Sequence, residues 1–267
     1  MAKLTKRTIG PGISARRARQ LLLAQAQDLI YTAWETANRK RRIALAEKAL
    51  TISCDCADAY VLLAEEADGL DAALEIYQKA VEAGERALGK KVFADEAGYF
   101  WGLLETRPYM RARAGLARCL WEKGQHDEAL VHYRDMLRLN PNDNQGIRFV
   151  LASCLLELGH NEELAALINQ YEDDASAEIA WTKALLSFRR QGDTADSRRQ
   201  LSRALEYNPY IPSYLFGLKK IPNRLPDLIG FGDESEAICY SAENLEAWRA
   251  TAGALAWIAK SFEAEAR

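Results

Sequence analysis

The sequence is poor in the residues that most chemistry needs. Three histidines (His126, His132 and His160) are the whole supply in 267 residues, too few for most metal and acid–base schemes. The five cysteines (Cys54, Cys56, Cys119, Cys154 and Cys239) are odd in number and irregularly spaced. That excludes a disulfide framework and points to a reducing compartment. Apolar stretches such as Leu21-Leu22-Leu23-Ala24 and Val150-Leu151-Ala152 fall far short of the roughly 20 residues of a membrane span. Gln25, Gln27 and Asp28 interrupt the stretch after the basic N-terminus, so no signal peptide is read there. No G-x-S-x-G, H-E-x-x-H or Gly-rich phosphate loop occurs. The expectation is a soluble, cytoplasmic chain that is not an enzyme and takes no cofactor or metal.

What is present is a period. The segment from Met110 to Asp143 is followed by two degenerate copies of itself, and Gly124, Gly159 and Gly192 mark the same corner in each. Asn140-Pro141 recurs two periods later as Asn208-Pro209. A fixed period of 34 residues means stacked helix pairs, each unable to bury its apolar side alone. In the best copy Leu116, Ala117 and Leu120 line the first helix. Ala129, Tyr133, Met136 and Leu137 line the second, with Asp127 as its expected cap and Pro141 as its stop. Small residues at Ala117 and Ala129 allow the two helices to cross closely.

The flanks follow from periodicity and breakers. Residues 1–13 read as a mobile basic tail, and 14–56 as an N-terminal helical pair, with Arg39-Lys40-Arg41-Arg42 interrupting the pattern. Repeats fill 57–210, with a shortened turn at Gly69 and an insertion at 84–109. That insertion is read as an extended second helix followed by an inserted helix carrying Phe93, Tyr99, Phe100, Trp101 and Tyr109. Residues 211–267 form a connector and capping helices; four of the seven prolines fall between 209 and 232, where regular structure must be short. Asp233 opens the next helix.

The offsets of Leu116-Ala117, Gly124, Asp127-Glu128-Ala129-Leu130, Tyr133, Leu137 and Pro141 resemble the tetratricopeptide repeat. The aromatic expected near the repeat start is Arg113 in this copy, and Trp181 restores it in the last. The stretches Cys56-Ala57-Asp58-Ala59-Tyr60-Val61-Leu62-Leu63-Ala64-Glu65-Glu66 and Asn208-Pro209-Tyr210-Ile211-Pro212-Ser213-Tyr214-Leu215, with Gly232-Asp233-Glu234-Ser235-Glu236-Ala237 beyond, resemble the suppression of tumorigenicity seven family and its bacterial relatives over roughly residues 40–258. The resemblance implies a helical repeat protein with no catalytic residues to carry over. It also implies that eukaryotic members are membrane-associated through further hydrophobic segments, which this sequence does not contain. The fold class is therefore all-α, a right-handed α-α superhelix of the tetratricopeptide-like solenoid type.

The function read from this class is protein or peptide binding, an adaptor that grips a segment in a concave groove lined by first helices. Groove offsets carried over from the repeat give Arg111, Arg118, Trp121, Phe149, Thr182 and Arg189 as candidates. Arginine and aromatic groups together suit an extended peptide of some acidity, since they dominate binding hot spots. The offsets that clamp a C-terminal carboxylate hold Ala114, Arg118, Val150, Ile179 and Lys183, and only the last suits that task. Three competitors stand beside this reading, one of them a self-associating scaffold that uses the exposed end of the stack. Residues 1–42 carry ten Lys or Arg against Asp28 and Glu35, on a chain of net charge −3, and such an arm can meet nucleic acid or anionic lipid. No aromatic stacking platform precedes Tyr31, so the arm reads first as a solvated segment. An enzyme would need a cleft near 93–109. Cys54-x-Cys56 has no second pair and reads as structural filler.

Overall fold

The computed structural model describes residues 14–265. The expected tail, with Lys3, Lys6 and Arg7, lies outside the described residues. No strand occurs among those described, and no helix among them is long and apolar enough to cross a membrane. The chain divides into two compact units, residues 1–145 and 146–267.

Unit 1 contains α1 (Ala15–Trp34), α2 (Arg39–Ile52), α3 (Ala57–Glu65), α4 (Leu70–Leu88), α5 (Lys90–Asp95), α6 (Arg107–Glu122) and α7 (His126–Leu139). Two short 3-10 turns, Phe100–Gly102 and Leu104–Thr106, lead into α6. Helices pair in order, α1 with α2, α3 with α4 and α6 with α7, and each pair packs on the next. The first helices α1, α3 and α6 also touch in series. Ser14 and Asn38 cap α1 and α2, accepting from the N–H groups of Arg17 and Arg41, bonds that satisfy donors a helix start leaves open. The Asn38 cap places Arg39-Lys40-Arg41-Arg42 inside the first turn of α2 rather than in a break between helices. Likewise α7 starts one residue before Asp127, with Asp127 and Glu128 in its first turn, where acids favour the helix dipole.

In unit 1, α4 packs directly on α6. A Cβ built on Gly115 would lie 2.1 Å from the Tyr77 ring, so only glycine lets that buried ring rest on the α6 backbone. In the 84–109 segment Phe93, Phe100 and Tyr109 fill space by packing on one another, with centroids 4.9–6.2 Å apart. They form a cluster, not an open cleft.

Unit 2 contains α8 (Ile147–Leu158), α9 (Asn161–Gln170), α10 (Ala177–Gln191), α11 (Ala195–Tyr207), α12 (Ile211–Leu215), α13 (Glu234–Ala250) and α14 (Ala254–Glu265). Again α8 pairs with α9, α10 with α11 and α13 with α14, while the first helices α8, α10 and α13 all touch one another. Gly159 and Gly192 end α8 and α10 at φ of 72° and 69°, a conformation glycine enters without the Cβ penalty. Thr194 and Ser197 form a reciprocal capping box at α11, and Asp233 caps α13. Trp181 is fully buried and donates its indole N–H to the Asn208 carbonyl at 3.2 Å. Tyr240 and Trp248 pack against it. The connector is short helix and turn, and it leaves Leu218, Leu228, Ile229 and Phe231 exposed.

Candidate functional site

In each unit a carboxylate in the first turn of the middle first helix gathers the first helices on either side of it. Asp58 is the second residue of α3 and Glu178 the second residue of α10. What they gather differs.

Asp58 is fully buried. Gln27 of α1 donates to its Oδ2 at 2.8 Å, and Arg111 of α6 grips both carboxylate oxygens at 2.8 and 2.5 Å. A bidentate arginine on a buried carboxylate is a strong, directional pair. The guanidinium also lies 5.2 Å from the Trp34 ring centroid. Two turns along α6, Arg118 has 64% of its side chain exposed, with a loose 4.0 Å contact to Glu122 and a hydrogen bond to the Tyr77 phenol. Its charge falls on Glu65 of α3. Surrounding protein raises the Glu65 pKa and Arg118 opposes the rise. Trp121 is half-buried and stacked on His126 at 4.1 Å.

Glu178 has no arginine. Its Oε1 accepts from Ser153 Oγ of α8 at 3.2 Å and from Asn244 Nδ2 of α13 at 3.1 Å. Burial first, and the nearby Glu243 carboxylate second, push its pKa up to about 8. Glu243 is solvent-accessible, yet enough protein surrounds its carboxyl to raise its pKa too, with Ser153 hydrogen bonding in the opposite sense. An accessible but crowded carboxyl is what a concave wall produces. Neither Glu178 nor Glu243 has a lysine or arginine partner among the described residues. Glu236, one turn after Asp233, is occupied: it accepts from the N–H groups of Ala177 and Gly232 and from Asn208.

The six groove candidates therefore fall into different situations. Arg111 is spent on Asp58. Arg189 is spent on the carbonyls of Leu156 and Ala247 at 2.6 and 3.1 Å and on Thr251 Oγ1 at 2.7 Å, tying α10 to α8 and α13. Thr182 is fully buried beside the Tyr240 phenol. Phe149 is half-buried with the Arg148 guanidinium 4.0 Å from its ring centroid. Arg118 and Trp121 share the exposed end of α6. The sequence reading passed over Glu178, Glu243 and Asn244. A signal existed: neither glutamate has a lysine or arginine three or four positions away, where a helix would supply its counter-ion.

The basic arm is partly neutralised within unit 1. Arg19 pairs with Asp55 at 2.7 Å, Arg86 reaches the same carboxylate at 3.1 Å, and Arg39 and Arg42 both hold Glu66. Burial raises the Asp55 pKa, but Arg19 and Arg86 outweigh it and hold the group below its ordinary value. Cys56 is buried, which pushes its thiol up to about 12, a small apolar group in practice. Among the described residues no group of three or more His, Cys, Asp or Glu is placed to hold a metal. A depression of about 30 Å³ between α9, α10 and α11, lined by Lys183, Arg203 and Tyr207 among others, has room for a water rather than a ligand.

Paired helices, ordered first helices and glycine-marked corners define the class: an all-α, tetratricopeptide-like array. Within that class the chain belongs to the ST7 protein family, whose model matches residues 21–267. It is 32% identical over 256 residues to the Suppressor of tumorigenicity 7 protein-like of Bos taurus, covering 87% of this chain and 46% of that protein. Against the Protein ST7 homolog of Drosophila melanogaster it is 31% identical over 254 residues, 85% of this chain and 47% of that one. The chain thus spans about half the length of the curated relatives it matches. The crystal structure of YrrB, described as a TPR protein with an unusual peptide-binding site, overlays at a TM-score of 0.44 and 20% identity, over 72% of this chain and 93% of that one. At that likeness no site is carried across.

Proposed function

We propose that the chain is a cytoplasmic scaffold that holds a protein or peptide segment on the first helices of its pairs, without catalysis or cofactor. The supporting observation is the serial contact of first helices within each unit, with side chains on them that the core does not use. In unit 1, Arg118 supplies charge and Trp121 apolar area. In unit 2, Phe149 supplies apolar area. Arg111 in unit 1 and Arg189 in unit 2 hold the first helices of their own unit in register, and Thr182 is buried. Exposed arginine beside an aromatic is the usual composition of a binding hot spot.

The test is the double variant Arg118→Ala, Trp121→Ala, compared with wild type in crosslinking from native lysate and identification of what is retained. Loss of the partner by at least about tenfold (~1.4 kcal/mol) is expected, with helix content and melting unchanged. Wild-type retention by the double variant would remove Arg118 and Trp121 from the binding surface.

A further inference from the structure

Unit 1 shows what completes a carboxylate at this place in the fold. Asp58 receives one neutral donor from one neighbouring first helix and a guanidinium from the other. Glu178 receives two neutral donors, Ser153 and Asn244, and a second carboxylate, Glu243, where unit 1 has the arginine. A further acceptor lies within the same packing. Asn244 of α13 is fully buried, and its Oδ1 has no hydrogen-bond partner. Turning the Asn244 amide round does not cure this, because its oxygen would then face the Tyr240 carbonyl, which now accepts from its nitrogen at 3.1 Å. A buried oxygen without a donor is costly and marks an incomplete site.

We propose that the Glu178–Glu243 site of unit 2 binds the cationic side chain, lysine or arginine, of a basic peptide segment, which takes the place that Arg111 fills in unit 1. The chemistry is one of complementarity: carboxylates and an amide oxygen want several N–H donors and a positive charge, and ammonium and guanidinium bring both. Access exists, since Glu243 is exposed and Glu178 partly so. The inference rests on the scaffold reading only in taking unit 2's first helices as a binding surface.

The charged and titratable groups around the Glu178–Glu243 pair are Glu236, Cys239 and Tyr240 from α13 beside Glu178, and Cys154 from α8 beside Glu243, with Glu157 next to Cys154 and Arg189 next to Tyr240. Arg189 is committed to Leu156, Ala247 and Thr251. In the empty site near neutral pH, Glu178 carries a proton. An incoming cation favours the carboxylate, and that proton leaves to buffer.

The experiment is isothermal titration of the full chain at about pH 7 with blocked heptapeptides carrying one central lysine, arginine, acetyl-lysine or glutamate. Each is run in two buffers of different ionisation enthalpy. The lysine and arginine peptides are expected to bind with proton release. The acetyl-lysine and glutamate peptides, and the Glu178→Gln, Glu243→Gln double variant, are expected to lose at least about tenfold in affinity. Glu243→Gln alone changes an exposed residue and serves where the double variant loses helix content; its expected loss is about threefold. No heat with lysine peptide up to about 1 mM, or equal binding by acetyl-lysine or by the glutamine variants, would overturn the proposal. That result would mean the two carboxyls merely share a proton. Arg118→Ala, Trp121→Ala should bind these peptides normally, so failure here and failure of the scaffold reading are separable.

Discussion

The two units solve one problem with different charges. In each, a carboxylate in the first turn of a middle first helix joins the first helices beside it. Unit 1 builds in the counter-charge, Arg111 on Asp58, and unit 2 leaves Glu178 beside Glu243 instead. A second contrast follows the period. Arg113 and Trp181 are two periods apart and both buried. Trp181 needs one acceptor, the Asn208 carbonyl. Arg113 needs a cage: Asp135, His132 Nδ1 at 3.0 Å and the Tyr109 hydroxyl at 3.0 Å. Burial, and then the Arg113 charge, depress the His132 pKa to about 4, so that ring accepts from Arg113 as a neutral base. Unit 1 thus joins its first helices with an ion pair, whereas unit 2 sets beside its aromatic core one pair of acids, Glu178 and Glu243, that has no basic partner.

The largest expected effect breaks the Arg113 cage. Arg113→Ala removes the donor to His132 and leaves Asp135 with Arg138 alone, and should destabilise unit 1 by about 3–4 kcal/mol, within the usual cost of removing one partner of a buried pair. Amide hydrogen exchange should show the loss in α6 and α7, with α10 unaffected. Arg111→Ala should cost somewhat less, about 2–3 kcal/mol, because Gln27 still donates to Asp58 and water can reach the partly exposed arginine site. Adding Asp58→Asn to Arg111→Ala should return part of that loss, read from denaturant midpoints. If Arg111→Ala proves silent, the counter-charge is not what holds unit 1's first helices, and the comparison with unit 2 fails.

Much of the fold was legible because packing imposes period. The glycine corners at Gly124, Gly159 and Gly192 and the caps at Ser14 and Asp233 follow from local backbone geometry, which single residues report. Boundaries at Arg39 and Asp127 shifted because the side-chain caps, or their absence, are decided one residue at a time. Gly115 was silent: only the structure shows Tyr77 lying across it. Nothing in the 34-residue period marks residues 145 and 146 as a division between units. The candidate site was half legible. Arg118 and Trp121 follow from repeat offsets, but offsets cannot tell an exposed arginine from one spent on Asp58 or on carbonyls, as with Arg111 and Arg189. Glu178 and Glu243 lie 65 positions apart and become a pair only through packing of α10 on α13.

The smallest effect in free energy is also the most direct test of the contrast. Glu178 titrates near 8 in the folded chain, against about 4.3 when unfolded. The folded state therefore binds the extra proton between those values. Its stabilisation is complete below about pH 4.3 and is lost as pH rises through about 8. With water reaching the site, the decline should amount to roughly 1–2 kcal/mol and should vanish in Glu178→Gln. Carbon-13 titration of the Glu178 side-chain carboxyl in the peptide-free chain reads this without unfolding. A midpoint near 8, falling when Glu243 is replaced by glutamine, is the expected result. A midpoint at the ordinary glutamate value, unmoved by that replacement, would contradict the claim that unit 2 carries an acidic site without its cation.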